Sequence, residues 1–160
     1  DTTTWIFDGV DDVVTFGDVH DYERTQPLTL SIWFRTTSSS TQILIGNTQN
    51  DSTARGIQLF LRSGAQLALI LANNNNAFAN SLAVNSTATG LNDGSVHHFL
   101  ATYAGTSLAS GVVFYLDGVA VSTTTASNSL TATILGTNAL AVGGFPTGGS
   151  SANGLVFGFS

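Results

Sequence analysis

From Leu28 to Arg35 hydrophobic and polar positions alternate. Leu28, Leu30, Ile32 and Phe34 share one parity, and Thr29, Ser31 and Arg35 the other. A period of two is what a strand with one buried face requires. The same reasoning predicts strands over Thr3–Phe7, Val13–Phe16, Leu28–Arg35, Gln42–Gly46, Ile57–Leu61 and Gln66–Leu71. It continues with Asn80–Val84, Val96–Tyr103, Gly111–Leu116, Val119–Thr124, Leu140–Gly143 and Gly154–Phe159. Turn formers separate them at Asp51-Ser52, Ser63-Gly64, Asn92-Asp93-Gly94 and Gly148-Gly149-Ser150. In Tyr115-Leu116-Asp117-Gly118-Val119 an Asp-Gly pair sits between β formers and tolerates the positive φ of a tight primed turn. Over Gly64–Ala79 both parities are apolar, which would suit a helix or a strand buried on both faces. The run is short for a helix, so the strand fits better. The Asn73–Asn76 run predicts a loop. Many short strands with frequent turns predict an all-β fold, a two-sheet antiparallel sandwich. No repeat or boundary interrupts it, so residues 1–160 are expected to form one domain.

Composition narrows the chemistry. There is no cysteine, which excludes disulfides and thiolate metal sites. Lysine is absent, and the four cations Arg24, Arg35, Arg55 and Arg62 face ten carboxylates, for a net charge of −6. Such a surface repels phosphate backbones and argues against a nucleic-acid partner. No apolar run approaches the ~20 residues of a membrane helix, so membrane insertion is not expected. A polar surface of Ser, Thr, Asn, Gln and Gly fits an extracellular, cell-surface or virion protein. The chain opens on Asp1 and contains no Met, which suggests a piece of a longer product.

Three segments carry a family likeness. They are Phe7-Asp8-Gly9-Val10-Asp11-Asp12, then Glu23-Arg24-Thr25 with Thr29–Phe34, and finally His97-His98-Phe99 followed by Phe114-Tyr115-Leu116-Asp117-Gly118. In this order they resemble the concanavalin-A-like, laminin-G-like jelly-roll superfamily. The resemblance implies two packed antiparallel sheets with a ligand taken on a curved face or a rim of loops, and a calcium ion near that rim. Val96 stands where the family often has Trp, a packing change. Ala152–Ser160 reads ANGLVFGFS, without the acidic pair of the family's closing strand. Either that strand is incomplete here or it differs.

Catalysis finds little support. Glycoside hydrolysis needs two facing carboxylates. The chain has a single glutamate, Glu23, and the neighbours Asp11 and Asp12 would point to opposite faces if they lay on a strand. No Gly-x-Ser-x-Gly elbow occurs. His97 and His98 are expected to face opposite ways, one inward with a satisfied ring nitrogen and one to solvent. Near His20, the residues Asp18, Asp21 and Glu23 could bind calcium, but a local Glu23–Arg24 salt bridge or turn-fixing pair fits better. Asp8 is the first candidate ligand for one structural calcium; as a plain turn residue it would cap its own backbone instead.

Sugar binding needs aromatic faces and amide groups. Candidates are Asn74, Asn75 and Asn76 in the Asn73–Asn76 run with Phe78, the stretch Asn47 to Asp51, and Phe145. Trp5 and Trp33 are expected in or beside the core, and Phe78 could equally be a buried anchor. The sequons Asn50-Asp51-Ser52 and Asn85-Ser86-Thr87 would mark surface loops. The expected function is a non-catalytic recognition or adhesion module. It would bind a glycan or another surface as part of an extracellular, cell-surface or virion protein. The alternative is a structural decoration, fibre or filament subunit that packs against its own copies as a homo-oligomer.

Overall fold

A computed structural model describes residues 4–48, 53–146 and 152–159. The predicted turns at Asp51-Ser52 and Gly148-Gly149-Ser150, and the Asn50 sequon, lie outside those residues. Among the described residues thirteen strands build two antiparallel sheets, which is the sandwich the alternation predicts. The first sheet holds β1 (Thr4–Asp8), β3 (Leu28–Arg35), β8 (His97–Tyr103), β9 (Val112–Leu116), β10 (Val119–Val121) and β13 (Asn153–Phe159) in the order β1-β13-β3-β8-β9-β10. The second holds β2 (Val14–Thr15), β4 (Gln42–Gly46), β5 (Gly56–Arg62), β6 (Gln66–Asn74), β7 (Asn80–Ser86), β11 (Thr123–Asn128) and β12 (Ala141–Val142), ordered β11-β7-β6-β5-β4-β12-β2.

Register explains the core. Ile32 stands opposite Phe99, which stands opposite Leu116, while Leu30, Ala101 and Phe114 form the next row. In the other sheet Leu59, Leu69 and Val84 form one row, and Ile57, Leu71 and Leu82 another. These inward rows meet between the layers and are almost wholly buried, apart from Leu30 and Leu116, which are partly buried. Burying each such side chain contributes roughly 1.5–3 kcal/mol. The Asp117-Gly118 turn joins Leu116 to Val119 with φ of 50° and 81°, the two positive values a two-residue primed hairpin requires.

Four expectations change. The strand predicted over Val119–Thr124 is two strands: β10 ends at Val121 in the first sheet, and Thr123–Asn128 pairs with β7 in the second. Asn73 and Asn74 are the end of β6 rather than loop, because Asn74 still pairs with Asn80. Trp33 is 45% exposed, since its neighbours Ile32 and Phe34 take the inward parity. Trp5, in contrast, packs beside the core against Phe16. The closing strand is in place: β13 pairs with both β1 and β3 and lies inside its sheet, leaving no vacancy there. Among the described residues no helix is long and apolar enough to cross a membrane.

Candidate functional site

β6 is buried on both sides from Leu67 to Ala72. Its inward leucines fill the core. On the outer side Ile70, Ala72 and Ala83 form a second small cluster with Phe60 packed on it. Strand pairing sets Phe60 opposite Ala68 and Ala68 opposite Asn85, so two large side chains flank an alanine across three strands. Small residues in the middle of a sheet face, with bulky ones at either side, leave a trough. That trough is a cleft of about 220 Å³ bordered by Phe60, Arg62, Asn75, Phe78 and Asn85.

The turn after β6 supplies two of these groups. Ala77 and Phe78 both have left-handed backbone, with φ of 48° and 57°, a conformation that costs non-glycine residues about 1–3 kcal/mol each. Several hydrogen bonds hold the turn there. Asn76 N–H donates to Asn74 Oδ1 at 2.9 Å, Phe78 N–H to the Asn75 carbonyl at 3.1 Å, and Ser129 Oγ to the Phe78 carbonyl at 2.9 Å. Phe78 is consequently 43% exposed at the cleft rather than a buried anchor. Asn75 Oδ1 is buried and has no hydrogen-bond partner among the described residues. An unpaired buried acceptor costs roughly 1–3 kcal/mol, so a donor reaching this oxygen would be stabilising.

On the cleft's other side Arg62 donates to Asn85 Oδ1 at 3.3 Å. Asn85 is in β7 and Ser86 Oγ is buried, donating to the Ala88 carbonyl, so this sequon is strand and not surface loop. Of the residues singled out in the sequence, Asn75 and Phe78 reach the cleft. Asn74 caps the turn behind it, Asn76 is exposed outside it, and Phe145 follows β12, several strands away in the sheet. Phe60, Arg62 and Asn85 gave no local signal, because only strand register brings them together.

A larger cavity of about 360 Å³ lies between the sheets, walled by Leu30, Ile45, Ile57 and Leu140 with His20 and Tyr22 at its side. Its walls are mostly hydrocarbon and its Asn47 side chain is already engaged, accepting from Ile57 N–H at 2.8 Å. It offers a polyhydroxylated ligand few partners, so the outer cleft is the better site for one.

The acidic groups fall into three arrangements. Asp8, Asp11 and Asp12 each bring a carboxylate oxygen within 4.8 Å of the others. Asp11 and Asp12 therefore do converge, contrary to the strand-based expectation, because they follow the end of β1 in a turn. Asp8 N–H donates to Asp12 Oδ2 at 3.0 Å, and Asp8 Oδ1 accepts from Val10 N–H at 2.8 Å. This set offers three of the six to eight oxygens calcium takes. His20, Asp18, Asp21 and Glu23 form no such group among the described residues.

Glu23 makes no ion pair with Arg24. Its carboxylate accepts from Arg24 N–H at 2.6 Å, Thr133 Oγ1 at 2.6 Å and Ile134 N–H at 3.3 Å, while the Arg24 guanidinium turns to Ser107. Partial burial opposes its charge, but those hydrogen bonds outweigh it and hold the carboxyl below its usual range. The single glutamate is thus a tie between distant loops.

His97 points inward beside Phe34 and is held by Asp117 at 2.9 Å and Asp93 at 3.3 Å; His98 points outward, stacked 4.4 Å from Trp33 and bonded to Ser31 at 2.9 Å. Partial burial works against the Asp117 charge, yet the bonds from His97 and from His98 N–H prevail and lower its pKa. Asp93 is lowered chiefly by the Ser95 N–H, with His97 adding to it. These are braces between the Asp-Gly hairpin and the preceding loop.

Residues 8–159 match the Laminin_G_3 profile of the concanavalin A-like lectin/glucanases superfamily. The chain belongs to that family. Its fold is similar to domains LG4-5 of the mouse laminin alpha1 chain, at TM-score 0.66 and 19% identity over 100% of this chain. It spans 42% of that laminin chain. The fold is also similar to the CBM40 of a Ruminococcus gnavus sialidase bound to alpha2,3 sialyllactose, at TM-score 0.61 and 11% identity, covering 98% of this chain and 89% of that one. A heptameric SAP-like pentraxin from Limulus polyphemus aligns at TM-score 0.56 and 14% identity, over 94% and 70% of the two chains. No curated protein matches the sequence significantly. These likenesses carry the fold of the Laminin_G_3 domain.

Proposed function

We propose that this Laminin_G_3 domain is a non-catalytic glycan-recognition module of an extracellular, cell-surface or virion protein, and that the outer cleft beside β6 is its binding surface. The observation that carries the reading is a cleft lined by Phe60, Phe78 and Asn75, whose buried Oδ1 has no hydrogen-bond partner among the described residues. A sugar hydroxyl supplies the missing donor, and the C–H side of its ring covers the aromatic faces. Family membership and the similarity to a CBM40 seen with sialyllactose support it. The engaged Glu23 supports the absence of hydrolysis. At about 220 Å³ the cleft is below the roughly 300 Å³ of enclosed ligand pockets, which suits one ring of a longer chain.

On a glycan array the domain is expected to bind saturably, and Asn75→Ala or Phe78→Ala to weaken binding about tenfold, the effect of losing roughly 1.4 kcal/mol. Wild-type affinity in both variants would remove the cleft from the account. The structural reading draws on a different surface: Ile6, Trp33 and Val113 are exposed on the outer side of the first sheet. Ordered oligomers dispersed by Trp33→Ser, together with no glycan binding, would establish it instead.

The Asp8–Asp11–Asp12 turn is the proposed calcium position, with a structural role only. Millimolar calcium is then expected to raise the melting temperature by a few degrees, and Asp12→Asn to abolish the rise. An identical melting curve in calcium and in chelator would leave the three carboxylates as a turn.

A further inference from the structure

Building on the glycan reading, we infer that the cleft selects sugars that carry a carboxylate. The chain has four cations against ten acids, so most of its surface disfavours an anionic ligand. Arg62 is the exception placed at the cleft. Arg24 is turned to Ser107, Arg55 donates to the Asn73 carbonyl, and Arg35 lies on the other sheet. Among the described residues Arg62 has no acidic partner, and no carboxylate borders the cleft. Its bond to Asn85 Oδ1 uses one of the five N–H donors of the guanidinium and fixes the direction of the rest. A planar fork of donors matches a carboxylate in bidentate fashion, which a neutral hydroxyl cannot reproduce.

Asn85 adds to the match. Its carbonyl oxygen is taken up by Arg62, so its amide nitrogen remains to donate toward the ligand. The cleft is thus lined by the donors of Arg62 and Asn85, by Asn75 with its unpaired Oδ1, and by hydrocarbon from Phe60, Ile70 and Phe78. A uronic or nonulosonic acid has the complementary layout: a carboxylate at one side, hydroxyls or an amide N–H at the other, and a partly apolar ring.

The test is titration of the purified domain with glycans ending in glucuronic, galacturonic or N-acetylneuraminic acid, each paired with its carboxyl-reduced counterpart. A set of sulfated glycans is run beside them. At least one acid is expected to bind tenfold or more tightly than its reduced form, with affinity falling as salt rises. Arg62→Gln should bring the acid down to the level of the reduced sugar and flatten the salt dependence. Arg62→Lys, which keeps the charge without the fork, should recover only part of the difference. Melting curves of both variants confirm that they are folded.

Equal binding of acids and reduced sugars would overturn the carboxylate assignment and leave the glycan reading intact. A preference for sulfated over carboxylated glycans would overturn it too. No binding by any glycan would defeat both the inference and the reading it rests on.

Discussion

Phe114→Ala should destabilise the domain by about 3–5 kcal/mol, the range for removing a large aromatic from a packed core. Phe114 is fully buried on the inward face of β9 and meets Phe99 edge to face, ring centroids 5.0 Å apart at 84°. That geometry adds to the burial, by roughly 0.5–1.5 kcal/mol for an aromatic pair. The surrounding rows are held in register by the ladders from β3 through β9, so the walls have little freedom to close over the gap. For a domain of this size each kcal/mol moves the melting temperature by about 2–4 °C, and a drop of roughly 10 °C is expected. Denaturant unfolding measures the loss directly. A loss below about 1.5 kcal/mol would show that the sheets close together over the space, and that the core is less rigid than its packing implies.

Gly143→Ala is expected to cost a comparable amount, about 2–6 kcal/mol. Gly143 has φ of +89°, which a side chain disfavours, and an added Cβ would land on the ring of the buried Phe7. Phe7 is buried, and the Gly143 backbone is tethered at both of its polar groups. Gly143 N–H donates to the Leu44 carbonyl at 3.2 Å, and its own carbonyl accepts from Ala152 N–H, tying the segment after β12 to the entry of β13. Backbone strain of about 1–3 kcal/mol and overpacking of about 1–3 kcal/mol act together. Gly64→Ala is the control: its φ is +84°, but nothing lies within 4 Å of the new Cβ. The difference between the two variants in unfolding free energy isolates the clash with Phe7. Equal losses would mean that Phe7 moves aside and that only the dihedral matters.

Strands with one buried face were legible because alternation is itself the mark of that environment, as at Leu28–Arg35. The two-residue hairpin at Asp117-Gly118 was legible for a different reason, since few residue pairs accept its dihedrals. β11 was not. Its Thr, Ser and Asn side chains are nearly all exposed, and its place is fixed by pairing with β7 rather than by any apolar rhythm of its own. Trp33 could have been placed by parity, which puts it opposite to Ile32 and Phe34; its size pointed the other way. The candidate site divides along the same line. Asn75 and Phe78 are local, in a turn whose asparagines cap one another. Phe60, Arg62 and Asn85 are separated by up to 25 positions and meet only through register, which no local window contains.

The pairing of β1 with β13 has a mechanical consequence. Thr4 stands beside Phe157, and the two strands run antiparallel, so the first and last described residues leave the ladder at one end. Tension applied through them would load the cross-strand bonds one after another, like a zip, rather than all together in shear. The module should therefore open at low force from that edge while the seven-stranded layer opposite stays assembled.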